Sequence, residues 1–388
     1  MRNAIISVAC VLLALVTGIY FGGHPASLPG PVRDSFLVDE DRAVRSEIVE
    51  TIEDNFYKPV DKSKLDDAAL KGIVESLEDP YSHYLTPHEA KALRESIAGE
   101  FEGVGMSVEK DARGLRVLNV FDGSPAKHAG IREQDVIVSV NGRSIAGLSS
   151  DLATGRIKGP AGTSVELEVF TPGASDTRTV RVKRERITVP VATGKLVDQG
   201  GHKLGVVQLT SFSSGAHAAV RNQVEKLLAD GAEGIVLDLR GNGGGLLSEA
   251  VLVASVFIED GQIVSVRGRE RANRTEEAEG DAIDPSIPVA VLVNGGSASA
   301  SEIVTGALRD RHRATVVGTN TFGKGLVQEV EPLSNGGYLD LTVANYYLPG
   351  GKTISTRGLK PEVRAFDKPR TKRDEALPAA LNVLLAKL

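Results

Sequence analysis

The chain has 388 residues, 41% of them hydrophobic, long and apolar enough to bury a core in two or three domains, which excludes a wholly disordered protein. Its formal net charge of −6 is spread over both signs without long blocks. Composition therefore argues against a phosphate-tracking surface and against nucleic acid as a partner.

Arg2 precedes an uncharged apolar run from Ala4 to Phe21, the pattern of an export signal or of a single membrane anchor. No small-x-small cleavage site follows, because His24-Pro25-Ala26 puts histidine at the minus-three position; a cleaved signal and an uncleaved anchor both stay open. The one cysteine, Cys10, lies inside this run, in a poor lipidation sequence because the apolar stretch continues past it. The rest of the chain neither needs disulfides nor can misform them in an oxidising compartment. Gly22 to Pro31 is a Gly- and Pro-containing linker that completes a first segment, 1–31.

From Asp34 the pattern is helical, with Phe36, Val44, Ile48, Ile52 and Phe56 recurring near every fourth residue. Asp66 to Leu77 reads as a second helix, Asp79-Pro80 as its stop, and Glu89 to Ile97 as a third, giving a small helical region at 32–99. At Phe101 the texture changes to short alternating strands at Gly105–Glu109, Gly114–Val120, Asp135–Val140, Val165–Thr171 and Thr179–Arg184. They are punctuated by Asp122-Gly123, Asn141-Gly142 and Pro172-Gly173. This makes a second region, 100–186.

Beyond Pro190 strands and helices alternate, the signature of layered α/β architecture. Strands are expected at Leu204–Leu209, Gly234–Leu239, Ile287–Val293 and Thr315–Gly318, and helices at Ala216–Ala229, Leu246–Phe257 and Ala300–Leu308. Arg269 to Asp284 is polar and unpatterned and reads as a loop; Leu326–Pro332 and Gly337–Leu348 read as strands. This third region, 187–373, is followed by a helix over 374–388 that places Leu377, Leu381, Leu384, Leu385 and Leu388 on one face, for docking on the body or on a partner chain.

The chemistry concentrates in two segments. Asn294-Gly295-Gly296-Ser297-Ala298-Ser299-Ala300-Ser301-Glu302 ends an apolar strand and opens a helix, so a small hydroxyl residue sits at a strand-to-helix turn beside helix N–H groups. Thr321-Phe322-Gly323-Lys324-Gly325-Leu326-Val327-Gln328 places a lysine 25 residues beyond Ser299. A serine hydroxyl needs a base, and lysine is one only when neutral. Its ammonium must be destabilised by about 4 kcal/mol to titrate near neutrality, as burial among apolar groups can do. Lys324 suits this, with Phe322, Leu326 and Val327 around it and no acid nearer in sequence than Glu329. Ser297, Ser299 and Ser301 compete as nucleophile, and Ser299 with Glu302 also fits a helix capping box. Asp238-Leu239-Arg240-Gly241-Asn242-Gly243-Gly244-Gly245, between a strand and a helix, can aim backbone N–H groups at a developing oxyanion or merely turn the chain.

Ser124-Pro125-Ala126-Lys127-His128-Ala129-Gly130-Ile131 with Gln134-Asp135-Val136-Ile137 and Asn141-Gly142 resembles a PDZ domain, and the serine and lysine segments resemble the carboxyl-terminal processing, or tail-specific, serine proteases. The likeness runs through helical start, PDZ domain and protease core in the family's order. It implies a multidomain α/β protein with a ClpP/crotonase-like core. It further implies Ser299 as nucleophile, Lys324 as general base, Gln328 as the residue orienting the lysine, and Gly244 and Ala300 N–H as the oxyanion hole. Gly103-Val104-Gly105-Met106 becomes the loop that takes a peptide carboxylate while the peptide adds as a strand; a tight entry turn is the plain alternative for its glycines. Lys158 lies where the family tends to carry a basic residue that contacts the core. The family's Asn-Pro-Gly-Gly is Asn242-Gly243-Gly244-Gly245 here, which predicts a looser loop and a less well formed resting hole.

The resemblance implies an exported, periplasmic endopeptidase, free or tethered to the inner membrane, needing no cofactor or metal and taking proteins by apolar, unstructured C-terminal tails. A homo-oligomer, an activating adaptor and an inactive PDZ scaffold stay open as alternatives. Two other chemistries fit poorly. Gly318 to Lys324 matches a phosphate-binding loop, but Gly325 stands where Ser or Thr would ligate magnesium. The seven histidines show no metal spacing, and His312 sits among charged residues, which disfavours a Ser-His-Asp triad.

Overall fold

The computed structural model describes residues 40–270, 272–354, 356–367 and 374–388. The apolar run, the linker and Phe36 lie outside the described residues. Two units are present, one ending at Tyr84 and one running from Leu85 to Leu388. In the first, α1 (Glu40–Asn55) contacts α2 (Lys62–Glu75). Asp61 caps α2 by accepting the Ser63 N–H at 3.1 Å, and Tyr84 Oη donates to Asp67 at 3.0 Å. The fourfold spacing predicts α1 correctly but not its burial: Val44 and Ile48 are 52% and 54% exposed.

The second unit opens with α3 (Pro87–Ala98), whose start is a full capping box between Thr86 and Glu89. Here lie β1 (Glu100–Gly103), β2 (Met106–Asp111), β3 (Gly114–Val120), α4 (Pro125–His128), β4 (Val136–Val140), β5 (Arg143–Ser144), α5 (Ser150–Ile157), β6 (Ser164–Phe170), β7 (Arg178–Lys183) and β8 (Glu185–Thr188). The sheet order is β2-β3-β4-β6-β7, with β5 on β4, and β1 pairs separately with β8. Alternation along the strands sends Leu115, Val117, Ile137, Val165, Leu167 and Val169 into one core with Ala153 and Ile157 of α5. That leaves β2 as an edge strand among the described residues. Helix α5 escaped the sequence reading because Ser-Asp-Leu-Ala-Thr-Gly-Arg-Ile carries too few apolar residues for a period.

The protease-like core is a six-stranded sheet of β9 (Ala192–Gln199), β10 (His202–Leu209), β11 (Ile235–Asp238), β14 (Val289–Val293), β15 (Thr315–Gly318) and β18 (Val363–Arg364), in that order. Only β9 is antiparallel to its neighbour; β10 to β18 are parallel. Both faces are covered, which is why these strands read as continuous apolar runs. Val207, Leu209, Ile235, Leu237, Val289 and Val291 face α6 (Ala216–Ala229), α7 (Leu247–Ser255) and α8 (Ala300–Asp310). Leu204, Val206, Val236, Ala290, Leu292 and Val317 face Leu377, Leu381 and Leu384 of α9 (Ala376–Leu385). The last helix thus docks on its own chain, although Leu388 is 49% exposed.

A second sheet joins β12 (Gln262–Gly268), β13 (Arg274–Glu277), β16 (Leu326–Pro332) and β17 (Tyr338–Tyr347), with β17 between β12 and β16. The expected loop at Arg269–Asp284 therefore contains a strand: backbone pairing of Arg274–Glu277 with β12 overrides a polar sequence with no apolar face to bury. Among the described residues no helix is long and apolar enough to cross a membrane.

Candidate active site

Three neighbouring parallel strands deliver the site. The chain leaves β11 into the glycine loop before α7, leaves β14 into the serine loop before α8, and leaves β15 into the lysine loop before β16. Loops at the carboxyl ends of adjacent parallel strands converge, which is how α/β sheets build sites.

Ser299 stands at the mouth of α8 with φ 53° and ψ −112°, a conformation a non-glycine residue holds only where its surroundings impose it. Glu302, wholly buried one turn on, imposes it. Its carboxylate accepts the Ser299 N–H at 3.0 Å, the Thr321 hydroxyl, the Gly323 N–H at 2.8 Å and the Lys324 N–H at 2.8 Å. Phe322 N–H adds a backbone bond to Ser297 O at 2.9 Å. One carboxylate therefore joins the serine and lysine loops, and its charge is met by four donors rather than by water. Sequence spacing hid this: Glu302 is 22 residues from Lys324 and reads as a helix cap. Of the three apolar neighbours expected to shield Lys324, Val327 is buried, whereas Phe322 is 53% exposed. Lys324 itself is partly buried.

The other two serines are spent on structure. Ser297 Oγ donates to Leu239 O at 2.8 Å and accepts the Asn294 N–H at 3.0 Å, and Ser301 Oγ donates to Asn242 O at 2.8 Å; both are fully buried.

The glycine loop abuts the serine loop. A Cβ on Gly244, at φ 105°, would lie 3.0 Å from Ser299 Cβ and 3.1 Å from Ala300 N, so only glycine fits there. Asn242, at the family's asparagine and just before the glycine that stands at its proline, holds the loop: Nδ2 donates to Leu209 O at 2.9 Å, its carbonyl accepts from Ala298 N and Ser301 Oγ, and its N–H donates to Leu239 O. Asn242 Oδ1 also accepts the Gly244 N–H at 2.9 Å, so this donor is engaged within its own loop. Gln328, on β16, donates through Nε2 to Thr342 Oγ1 at 3.2 Å.

In the PDZ-like part, Gly103 belongs to β1 opposite Glu185. The carbonyls of Val104 and Gly105 accept N–H groups of Ala126 and Phe121, and Met106 opens the edge strand β2. Lys158 Nζ lies 3.4 Å from Glu95 Oε2 and 5.2 Å from the Phe101 ring centroid. It also lines a cavity of about 300 Å³ with Val191, Thr210 and Ser213. Among the described residues, the histidines with side-chain hydrogen bonds, His202 and His217, face Glu233 and Glu249.

Comparison with known proteins places the architecture. Models of peptidase family S41, the PDZ domain and the activating protease CtpB N-terminal domain match residues 203–365, 93–170 and 42–88. The carboxy-terminal processing protease CtpA of Bacillus subtilis (strain 168) is 36% identical over 317 residues, covering 81% of this chain and 67% of that protein. The chain belongs to the carboxy-terminal processing serine proteases. A CtpA-like serine protease of Staphylococcus aureus (strain COL) is 37% identical over 333 residues, 85% of this chain, and the chain spans 66% of that relative's length. Among solved structures, the photosystem II D1 C-terminal processing protease is 32% identical with a TM-score of 0.51, covering 90% of this chain and 98% of that one. Within this family, the three converging loops are the place to look for catalysis.

Proposed function

We propose that this chain is an exported serine endopeptidase that takes proteins by apolar, unstructured C-terminal tails and cleaves them through an acyl-enzyme on Ser299. The Glu302 clamp carries the reading, because it fixes the main chain of both Ser299 and Lys324 from one buried carboxylate. The commitment of the Ser297 and Ser301 hydroxyls to backbone carbonyls supports Ser299 over its two neighbours.

In this mechanism Ser299 Oγ attacks the scissile carbonyl carbon as its proton passes to the neutral amine of Lys324, which Gln328 orients. The carbonyl π pair moves onto oxygen, where Ala300 N–H and Gly244 N–H stabilise it. Gly244 must first turn its N–H away from Asn242 Oδ1. The C–N bond then breaks, the departing amine takes the proton from the Lys324 ammonium, and an ester remains on Ser299. Water, giving a proton to Lys324, attacks the ester, and Ser299 leaves with that proton restored.

Tail capture falls to Gly103, Val104, Gly105 and Met106 at the head of edge strand β2, where a peptide strand can add. Lys158, bridging the PDZ-like part to Glu95, is the candidate for relaying tail binding. The apolar run before residue 22 supports export, with or without a retained anchor. The test is cleavage of a loosely folded protein bearing an apolar C-terminal tail by residues 32–388, with Ser299→Ala and Lys324→Ala beside wild type. Loss of at least about 10³-fold in both variants is expected. Activity surviving in Ser299→Ala would misassign the nucleophile, and an inactive wild type would point to a required adaptor or a scaffold.

A further inference from the structure

Arg240 opens the glycine loop, and its side chain is only 16% exposed. Every one of its five N–H donors is used. Nε bonds Asp238, with Oδ1 at 2.9 Å; one Nη bonds Asp374 Oδ1 at 2.9 Å and Asp367 Oδ2 at 3.0 Å; the other bonds Asp238 Oδ2 at 2.7 Å and Asp374 Oδ2 at 2.8 Å. Asp238 is the buried last residue of β11. Asp367 and Asp374 belong to the start of α9: Asp367 Oδ1 accepts the Glu375 and Ala376 N–H groups, and Asp374 Oδ1 accepts that of Leu377. The same two carboxylates that cap the last helix thus hold the first residue of the loop facing Ser299.

From Arg240 the connection is short. Gly241 N–H donates to Asn294 Oδ1 of the serine loop at 2.9 Å, Asn242 ties to Ala298 and Ser301, and Gly244 touches Ser299 and Ala300. Helix α9 packs on the sheet face opposite α8, so Arg240 carries a constraint from one layer to the site above the other. We infer that Arg240 is a positioning residue through which the docked state of α9 sets the glycine loop, making the helix at 376–385 part of the active-site scaffold. A lysine has three donors and no planar fork, so it cannot satisfy three carboxylates this way.

Asp374→Asn separates this role from plain helix docking, because asparagine caps a helix as well as aspartate does yet cannot form the two-pronged ion pair. Two measurements decide. In amide hydrogen exchange of residues 32–388, Asp374→Asn and Arg240→Lys are expected to speed exchange in 240–246 at least tenfold while 103–184 is unchanged. In cleavage of a tailed substrate they lower kcat about tenfold at constant KM, and Asp374→Glu recovers most of it. The effect on turnover rests on the serine/lysine reading proposed above; the effect on the loop does not. Ser299→Ala, which abolishes cleavage under that reading, must leave 240–246 exchange as in wild type. Unaltered exchange in folded Asp374→Asn overturns the coupling, whether or not wild type cleaves. Faster exchange with unaltered kcat overturns the positioning role.

Discussion

At Glu302 a single side chain meets three backbone N–H groups and a hydroxyl. Glu302→Gln turns an acceptor-only carboxylate into an amide whose NH₂ faces those donors. It should cost about 3 kcal/mol of stability, since hydrogen bonds to a charged group are worth ~1.5–3 each and orphaned donors add to the loss; denaturant unfolding checks this. Cleavage should fall with it, as both loops lose their common anchor. The serines give a sharper comparison. Ser297→Ala removes two hydrogen bonds and Ser301→Ala one, each worth about 1 kcal/mol, and both variants should keep cleavage within about tenfold of wild type. From the residues alone the three serines were rivals, and only the family resemblance singled out Ser299. Which hydroxyls are committed depends on Leu239 and Asn242, more than fifty residues away in the chain.

At the scale of the element, the tail capture proposed above rests on edge strand β2 and the loop before it. A Cβ on Gly105, at φ 82°, would come 2.3 Å from Ser124 Cβ. Gly105→Val should therefore distort the loop and raise KM for a tailed substrate about tenfold or more, leaving the rate on an untailed substrate unchanged; paired kinetics on the two substrates tests it. The β2–β3 turn adds a pH dependence. The Arg113 N–H and the Arg116 guanidinium hold the Asp111 carboxyl below its ordinary 3.8. Because its folded value is depressed, the stability it contributes is present above its unfolded value and lost as pH falls through the folded one. The thermal midpoint of wild type should exceed that of Asp111→Ala at pH 5.5, and the gap should close toward pH 3. Strands β3, β4 and β6 were readable from alternation; β1 and β8 were not, since each is four residues long and is defined only by the other.

Helix α9 shows what the whole molecule adds. Burying Leu377, Leu381 and Leu384 contributes roughly 1.5–3 kcal/mol each, and their removal would open a sheet face of Val206, Val236, Ala290, Leu292 and Val317. Deleting 374–388 should lower the midpoint by several degrees and yield aggregates in size-exclusion chromatography with light scattering. A well-behaved protein of unchanged association state would show that this face tolerates water. The leucine spacing was sufficient to predict a docking helix, whereas its target was not readable, because an apolar stripe fits any apolar face.

What the sequence by itself determined is local: helix and strand periods in the α/β core, the serine and lysine segments, and the glycine loop, all of which depend on residues a few positions apart. What only the tertiary structure decided is how distant residues share one group. Glu302 binds two loops, Asn242 ties the glycine loop to Leu209 and Ser301, and Arg240 joins the last helix to the loop beside Ser299. Each is a hydrogen-bonded polar residue withdrawn from water, and such a residue is stable only where the fold supplies its partners. Apart from the capping-box spacing of Ser299 and Glu302, their links join residues far apart in the chain, so the reason for them becomes visible only once the strands lie side by side.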